Sequence, residues 1–427
     1  MAKKAEIEQT EIEAPYELPE GWKWCRLGNF FTHTTGKALK KGNTVGSLKK
    51  YITTSNVYWN YFDFSDVREM YFADNELEKC TATKGDLLIC NGGDVGRGAI
   101  WNFDYDICLQ NHVSRLRKKT NNVSTEYFYY IFKFYKDSGL INGKGIGISS
   151  LSAKAINELI VPLPPTLAEQ QRIVNRIESM FAKLDQAQEK AQAVLDSFET
   201  RKAAILHQAF TGNLTAKWRK ENGISDDSWE EKTVGDCCSE VKVGIVIKPT
   251  RYYTESENGV PAFRSANVRE NHIDNFDWVY INDEGMKNEQ RSIVHTNDVL
   301  VVRSGAPGTA CVVTEQFDGY NAIDILIAVP LTEVINSYFL CYYTNSPMGK
   351  NIVAEKKRGL GLTHFNVKGY SATPIKVPSL SEQQEIVRIL DTVLEKESTA
   401  KSAAEQVLEQ IDLLKKSILA RAFRGAL

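Results

Sequence analysis

Residues Pro165 to Leu214 read PTLAEQQRIVNRIESMFAKLDQAQEKAQAVLDSFETRKAAILHQAFTGNL, and residues Pro378 to Leu427 read PSLSEQQEIVRILDTVLEKESTAKSAAEQVLEQIDLLKKSILARAFRGAL. The two 50-residue stretches align without a gap at a constant offset of 213, and 19 positions are identical. Two copies of one long stretch, each following a globular segment, predict a molecule with pseudo-twofold symmetry.

Within the repeat the apolar residues keep a seven-residue spacing. Ile173, Met180, Ala187 and Val194 form one series, and Ile177, Leu184, Ala191, Phe198 and Ile205 a second, offset by four. Ile386, Val393, Ala400, Val407 and Leu414 match the first series in the second copy, and Leu390, Glu397, Ala404, Ile411 and Ile418 match the second. This is the seam of a coiled coil. Thr166 and Ser379 stand as N-caps with Glu169 and Glu382 three residues on, a capping-box pattern. Gly212 and Gly425 stand where a helix stops. About 42 helical residues at about 1.5 Å each give a rod on the order of 60 Å long. A twofold axis relating the copies reverses one rod against the other. Leu167–Ala209 is therefore expected to pack antiparallel on Leu380–Ala422, with Ile177, Leu184, Phe198, Ile205, Leu390, Ile411 and Ile418 in the seam.

The segments before the rods repeat more faintly. Trp22 with Leu27-Gly28 parallels Trp229 with Val234-Gly235, and Ser55-Asn56-Val57 parallels Ala266-Asn267-Val268. Gly85-Asp86-Leu87-Leu88-Ile89 parallels Asn297-Asp298-Val299-Leu300-Val301, each a turn leading into a buried strand. Gly92–Gly96 parallels Ser304–Gly308, Gly145-Ile146-Gly147 parallels Gly359-Leu360-Gly361, and the helical region at Tyr127-Phe128 parallels that at Tyr338-Phe339. The unit is a mixed α/β head of about 150 residues plus one long helix, occurring twice, so the fold class is α+β. The boundaries read as a disordered tail 1–14, a first head 15–165, a central helix 166–214, a linker 215–228, a second head 229–378 and a final helix 379–427. The heads have diverged while the rods stayed alike, which suggests a common partner for the rods and different targets for the heads.

Bulk composition excludes several classes. At 427 residues the chain expects two or three domains, and its 42% hydrophobic content is that of a soluble globular protein. No apolar run approaches the roughly 18 residues of a membrane span, and the N-terminus lacks a signal-peptide core. A cytoplasmic location is expected. The eight cysteines contain no CxxC pair, so neither a zinc site nor a disulfide framework is expected. The net charge is −2. Residues 15–165 carry 19 basic against 15 acidic side chains, a net +4, and residues 229–378 carry 15 against 18, a net −3. There is no global basic field, so any affinity for nucleic acid must come from local clusters or from partners.

The ordered set of motifs, W…LG, S/A-N-V, GD-L-L, a Gly-rich turn, GxG, P-x-L-x-E-Q-Q-x-I-V and A-F-x-G-x-L, resembles the specificity subunit of Type I restriction–modification enzymes. The resemblance runs from about Leu18 to the end. It implies two target-recognition domains that each read half of a split sequence in double-stranded DNA, held apart by the two helices. It also implies a subunit without a catalytic site. Two methyltransferase subunits using S-adenosylmethionine, and restriction–translocase subunits, would be the partners, and no cofactor or metal would be bound by this chain.

The residues agree with the missing chemistry. The only Pro-Pro, Pro164-Pro165, is not the N/D-P-P-Y/F of an adenine methyltransferase, and Gly143–Gly147 lacks a P-loop ending. DNA contact is expected from polar and basic residues on Gly-rich loops. In the first head these are Lys37, Lys40, Lys41, Lys49, Lys50, Asn91, Arg97, Asn111, His112, Lys144, Ser149 and Ser150. In the second they are Lys248, Arg251, Tyr252, Arg264, Arg303, Ser304, Lys356, Lys357, Arg358, His364 and Asn366. Arg303, between an apolar run and a Gly turn, is the leading base reader, and Lys357 the leading phosphate contact. A self-contained methyltransferase–nuclease and a structural coiled-coil adaptor are the alternatives.

Overall fold

The computed structural model describes residues 15–40, 42–141, 152–352 and 365–427. Two helices dominate it, Leu167–Phe210 and Leu380–Phe423, each 44 residues long. The chain divides into two compact units. Unit 1 is the chain up to Gln192 with Glu405–Leu427, and unit 2 is Ala193–Ala404. Each unit therefore holds one head, the near half of one long helix and the far half of the other, a division the linear boundaries of the sequence do not show.

Within unit 1 the helices run antiparallel: Arg172 donates to the Leu427 carbonyl at 2.9 Å, and Lys415 meets Asp185 at 2.6 Å. Within unit 2, Arg201 forks onto Glu397 at 2.7 and 2.9 Å, while Leu206 and Phe210 share a core with Ile386 and Leu390. Ile177, Leu390, Ile411 and Ile418 are buried, whereas Leu184, Phe198 and Ile205 are half-buried. Phe198 lies beneath the Lys401 ammonium, 5.0 Å from its ring centre. Toward the end of the first helix the buried face turns to Leu206, Ala209 and Phe210, because there the helix packs on a head as well as on its partner helix. Thr166 and Ser379 do cap the helices, accepting from the backbone of Glu169 and Glu382 at 3.2 and 3.4 Å. The capping box stays open, since Glu169 turns to Arg172. Glu382 is wholly buried and accepts from Thr215, Arg219 and Trp229. Gly212 and Gly425 take the left-handed backbone that ends a helix, with φ of 80° and 71°.

Each head is built on the same plan. In unit 1 a four-stranded sheet runs in the order Phe31–Thr35, Val113–Lys118, Leu87–Cys90, Gly98–Ile100, all antiparallel. In unit 2 the order is Cys238–Val243, Ile325–Pro330, Val299–Val302, Ala310–Val312. The buried apolar runs LLIC and VLVV are the third strands of these sheets, covered on both faces. A second sheet in each head contains one parallel pair, Ser47–Ile52 with Ile107–Leu109 and Val260–Phe263 with Asn321–Ala322. A two-stranded ribbon closes each head, Lys23–Arg26 on Ile160–Leu163 and Glu230–Thr233 on Pro374–Val377.

A head helix, Thr125–Asp137 or Ser337–Asn345, lies between sheet and long helices, and both are buried nearly all round. Their attachment explains the repeated motifs of the rods. The side-chain oxygen of Gln170 accepts from the backbone N–H of Ser124, the N-cap of the first head helix, at 3.0 Å. Gln383 accepts in the same way from the backbone of Asn336, the N-cap of the second, at 2.7 Å. Phe423 stacks on Phe134 at 5.5 Å, and Phe210 meets Phe339 at 5.3 Å. So E-Q-Q supplies a buried acceptor at the start of one long helix, and A-F-x-G-x-L supplies a wedge at the end of the other.

Candidate nucleic-acid interface

The two heads repeat a set of hydrogen bonds that hold their turns. Asn56 and Asn267, both buried, donate to the carbonyls of Asp63 and Asp66 in one head and of Asp274 and Phe276 in the other. Each holds a small hairpin whose turn contains a left-handed asparagine, Asn60 or Asn271. Asp86 and Asp298 accept from the backbone of Thr83 and His295, both at 2.8 Å, and fix the turn before the buried strand. After that strand the chain crosses the Gly-rich turn, closed by Gly96 N–H to the Cys90 carbonyl and Gly308 N–H to the Val302 carbonyl.

The side chains on this scaffold differ. In the first head Arg97 donates to the Thr54 carbonyl at 2.7 Å and lies 4.8 Å over the Tyr58 ring, which stacks on exposed Tyr61 at 4.8 Å. The equivalent hairpin of the second head carries Arg269 and His272, both drawn to Asp274. Asn91 donates to Ser114, which also bonds His33 at 2.9 Å, and the Asn91 carbonyl oxygen is buried without a partner. Burial holds the His33 imidazole below its usual pKa, so it is neutral near pH 7. Asn91 donates its backbone N–H to the His112 carbonyl and its side-chain amide to the Asn111 carbonyl.

The expected contact residues divide by geometry. Lys40, Lys49, Lys50, His112 and Lys248 are exposed, Lys248 with left-handed backbone. Lys37 is withdrawn, donating to the Tyr71 carbonyl and to Glu76. Arg251 lies 4.3 Å from the Tyr252 ring and pairs with Glu289, and Arg264 pairs with Asp277 at 2.7 Å. Ser304 is half-buried at its turn. Two of the expected contact residues are withdrawn in the described structure. Arg303 has a side chain 14% exposed, donating to Asp324 at 2.6 Å and to the Phe365 carbonyl at 3.1 Å. Tyr252 is 3% exposed and belongs to a core with Ile245, Ala262 and Ile281. Asn366 caps a short helix, accepting from Gly369 at 2.8 Å. Lys41, Lys144, Ser149, Ser150, Lys356, Lys357, Arg358 and His364 lie outside the described residues. Sequence reasoning passed over His33, Tyr58, Tyr61 and Ser114; the doubled Tyr in YWNY around Asn60 was the available signal.

Among the described residues no group of three His, Cys, Asp or Glu side chains is placed to hold a metal. All eight cysteines are free and seven are buried; burial raises the Cys90 thiol to about 11 and that of Cys238 to about 12.

This scaffold, twice repeated and differently furnished, defines a class of paired recognition heads on a helical spacer. The chain belongs to the family of the Type I restriction modification DNA specificity domain, which it matches twice, over residues 19–195 and 226–410. It is 24% identical over 360 residues to the Type I restriction enzyme EcoBI specificity subunit of Escherichia coli, covering 80% of this chain and 73% of that one. It is also 24% identical over 433 residues to the EcoKI specificity subunit of Escherichia coli strain K12, covering 96% and 90%. Its fold is that of the crystal structure of the HsdS subunit from Thermoanaerobacter tengcongensis, with a TM-score of 0.66 at 19% identity over 97% of this chain and 100% of the other.

Proposed function

We propose that this chain is the non-catalytic subunit that chooses the DNA sequence for a Type I restriction–modification enzyme. Each head reads one half of a two-part, asymmetric target in double-stranded DNA. The observation that carries this is the replacement of side chains on a conserved hydrogen-bonded frame. Asn91 stands where Arg303 stands, Tyr58 and Tyr61 where Arg269 and His272 stand, and His33 where Val241 stands. A structural adaptor has no need of such exchange at loops held rigid by buried asparagines. Two methyltransferase subunits carrying S-adenosylmethionine, and restriction–translocase subunits, supply the chemistry. The free thiols fit the reducing cytoplasm, and no described helix is long and apolar enough to cross a membrane.

Selection of bound duplexes from a random pool, with and without methyltransferase subunits, tests this reading. A recovered sequence with two unlike specified parts around an unspecified gap is expected. Recovery of no shared sequence, or DNA cleavage by the chain alone, would refute it.

A further inference from the structure

Unit 1 contains a cavity of about 510 Å³ beside the second sheet of its head. One wall is apolar, formed by Leu77, Ile107 and the ring of Tyr105. That ring is 52% exposed, yet it packs edge-on with Trp101 at 5.4 Å and tilted against Phe103 at 5.4 Å. Lys49 and Lys50 line the cavity from the strand Ser47–Ile52, and Glu78 and Asp106 also line it. Among the described residues none of these four charged groups is in an ion pair. Arg117 also lines the cavity and forks onto buried Asp86 at 2.6 and 2.9 Å. Arg115, 4% exposed, is held only by the carbonyls of Glu78 and Thr81, and its Nε has no partner.

Unit 2 is the internal control. Strand register makes Val260 and Pro261 the counterparts of Lys49 and Lys50, and Ile327 and Val329 those of Arg115 and Arg117. The same frame folds with four apolar residues in place of four cations. The charges of unit 1 are therefore not required by the fold, and burying Arg115 carries a desolvation cost that folding alone does not explain.

We propose that this cavity holds a single nucleotide with an amino-bearing base. Tyr105 offers a fixed face for the base to stack on. Glu78 and Asp106 accept from the exocyclic amine, which adenine, cytosine and guanine carry and thymine lacks; guanine adds its ring N1–H as a second donor beside the amine. Lys49 and Lys50 take the phosphate. A volume of this size fits a nucleotide-sized ligand. The nucleotide can be one swung out of the DNA strand, which rests on the DNA-reading role proposed above, or a free one.

Titration calorimetry of the full chain with each deoxynucleoside 5′-monophosphate, alone and with a selected duplex present, tests this. The adenine, cytosine and guanine nucleotides are expected to bind at least about tenfold more tightly than the thymine nucleotide. Joint Lys49→Ala and Lys50→Ala, both exposed, should weaken every nucleotide by about tenfold or more. Joint Glu78→Gln and Asp106→Asn should erase the preference for the amine. Displacement of the nucleotide by the duplex identifies the strand as its source, and simultaneous binding identifies free nucleotide. Absence of nucleotide binding at millimolar concentration, or binding unchanged in both variants, overturns the cavity proposal even when the duplex still binds. Nucleotide binding with these variant effects in a chain that selects no duplex leaves the cavity standing and removes the DNA reading.

Discussion

Arg303 shows how a residue's neighbours decide its work. Its place after an apolar run and before a glycine turn gives it the look of a presented guanidinium. The partners that hold it, Asp324 and the Phe365 carbonyl, come 21 and 62 residues later, and no local pattern announces them. Arg303→Ala should accordingly lower the stability of unit 2 by about 1.5–3 kcal/mol, the range for hydrogen bonds to charged groups. Urea unfolding measures it, and an unchanged midpoint would return Arg303 to the surface. Glu270 makes a second test. Burial opposes its ionisation, but the ammoniums of Lys202 and Lys350 outweigh burial and hold its carboxyl below the usual value of 4.5. A carboxyl depressed in the folded state contributes stability that is complete above the unfolded value and lost as the pH falls through the folded one. Wild type should therefore exceed Glu270→Gln in stability at neutral pH, and the gap should narrow below about pH 4.5, where unfolded glutamate gains its proton. A gap constant between pH 7 and pH 3 would show that the ion pairs contribute nothing.

At the scale of elements, the long helices were legible because seven-residue spacing, N-caps and stopping glycines all report one local geometry. The seam was legible only in part. Glu397 occupies a seam position and answers Arg201, and Phe198 packs beneath Lys401 instead of into a closed core. Ile177, wholly buried among Ile418, Leu419 and Phe423, should cost about 2–5 kcal/mol when cut to Ala, and Phe198→Ala clearly less. Phe198→Asp should be milder than Ile177→Asp, since its new carboxylate meets the Lys401 ammonium. Thermal unfolding of the four variants gives the order, and the reverse order would place the tightest part of the seam at Phe198. The head sheets were less legible. Their strands are short, and their pairing order depends on partners far apart in the chain, such as Phe31 with Lys118 and Cys238 with Pro330. Only the buried runs LLIC and VLVV stood out from the sequence.

At the scale of the molecule, the first long helix passes unbroken from one unit into the other. Inserting four residues in it should lengthen the unspecified gap in the selected DNA while leaving the specified bases as they were. Altered bases with the old gap would contradict its role as spacer. Exchanging residues 15–165 for the corresponding head of a relative should change one half of the selected sequence and no more. That exchange should succeed because of how a head is attached. Gln170 and Gln383 each grip the head helix by a backbone N–H, which every residue but proline possesses. The grip is blind to the identity of what it holds. Ser124 in one head and Asn336 in the other satisfy it equally, and mutations can rewrite a head's side chains without loosening it. Descent can thus vary the lock-reading surface at will while the handle stays the same, a division that lets one chain acquire new specificities without having to learn again how to fold.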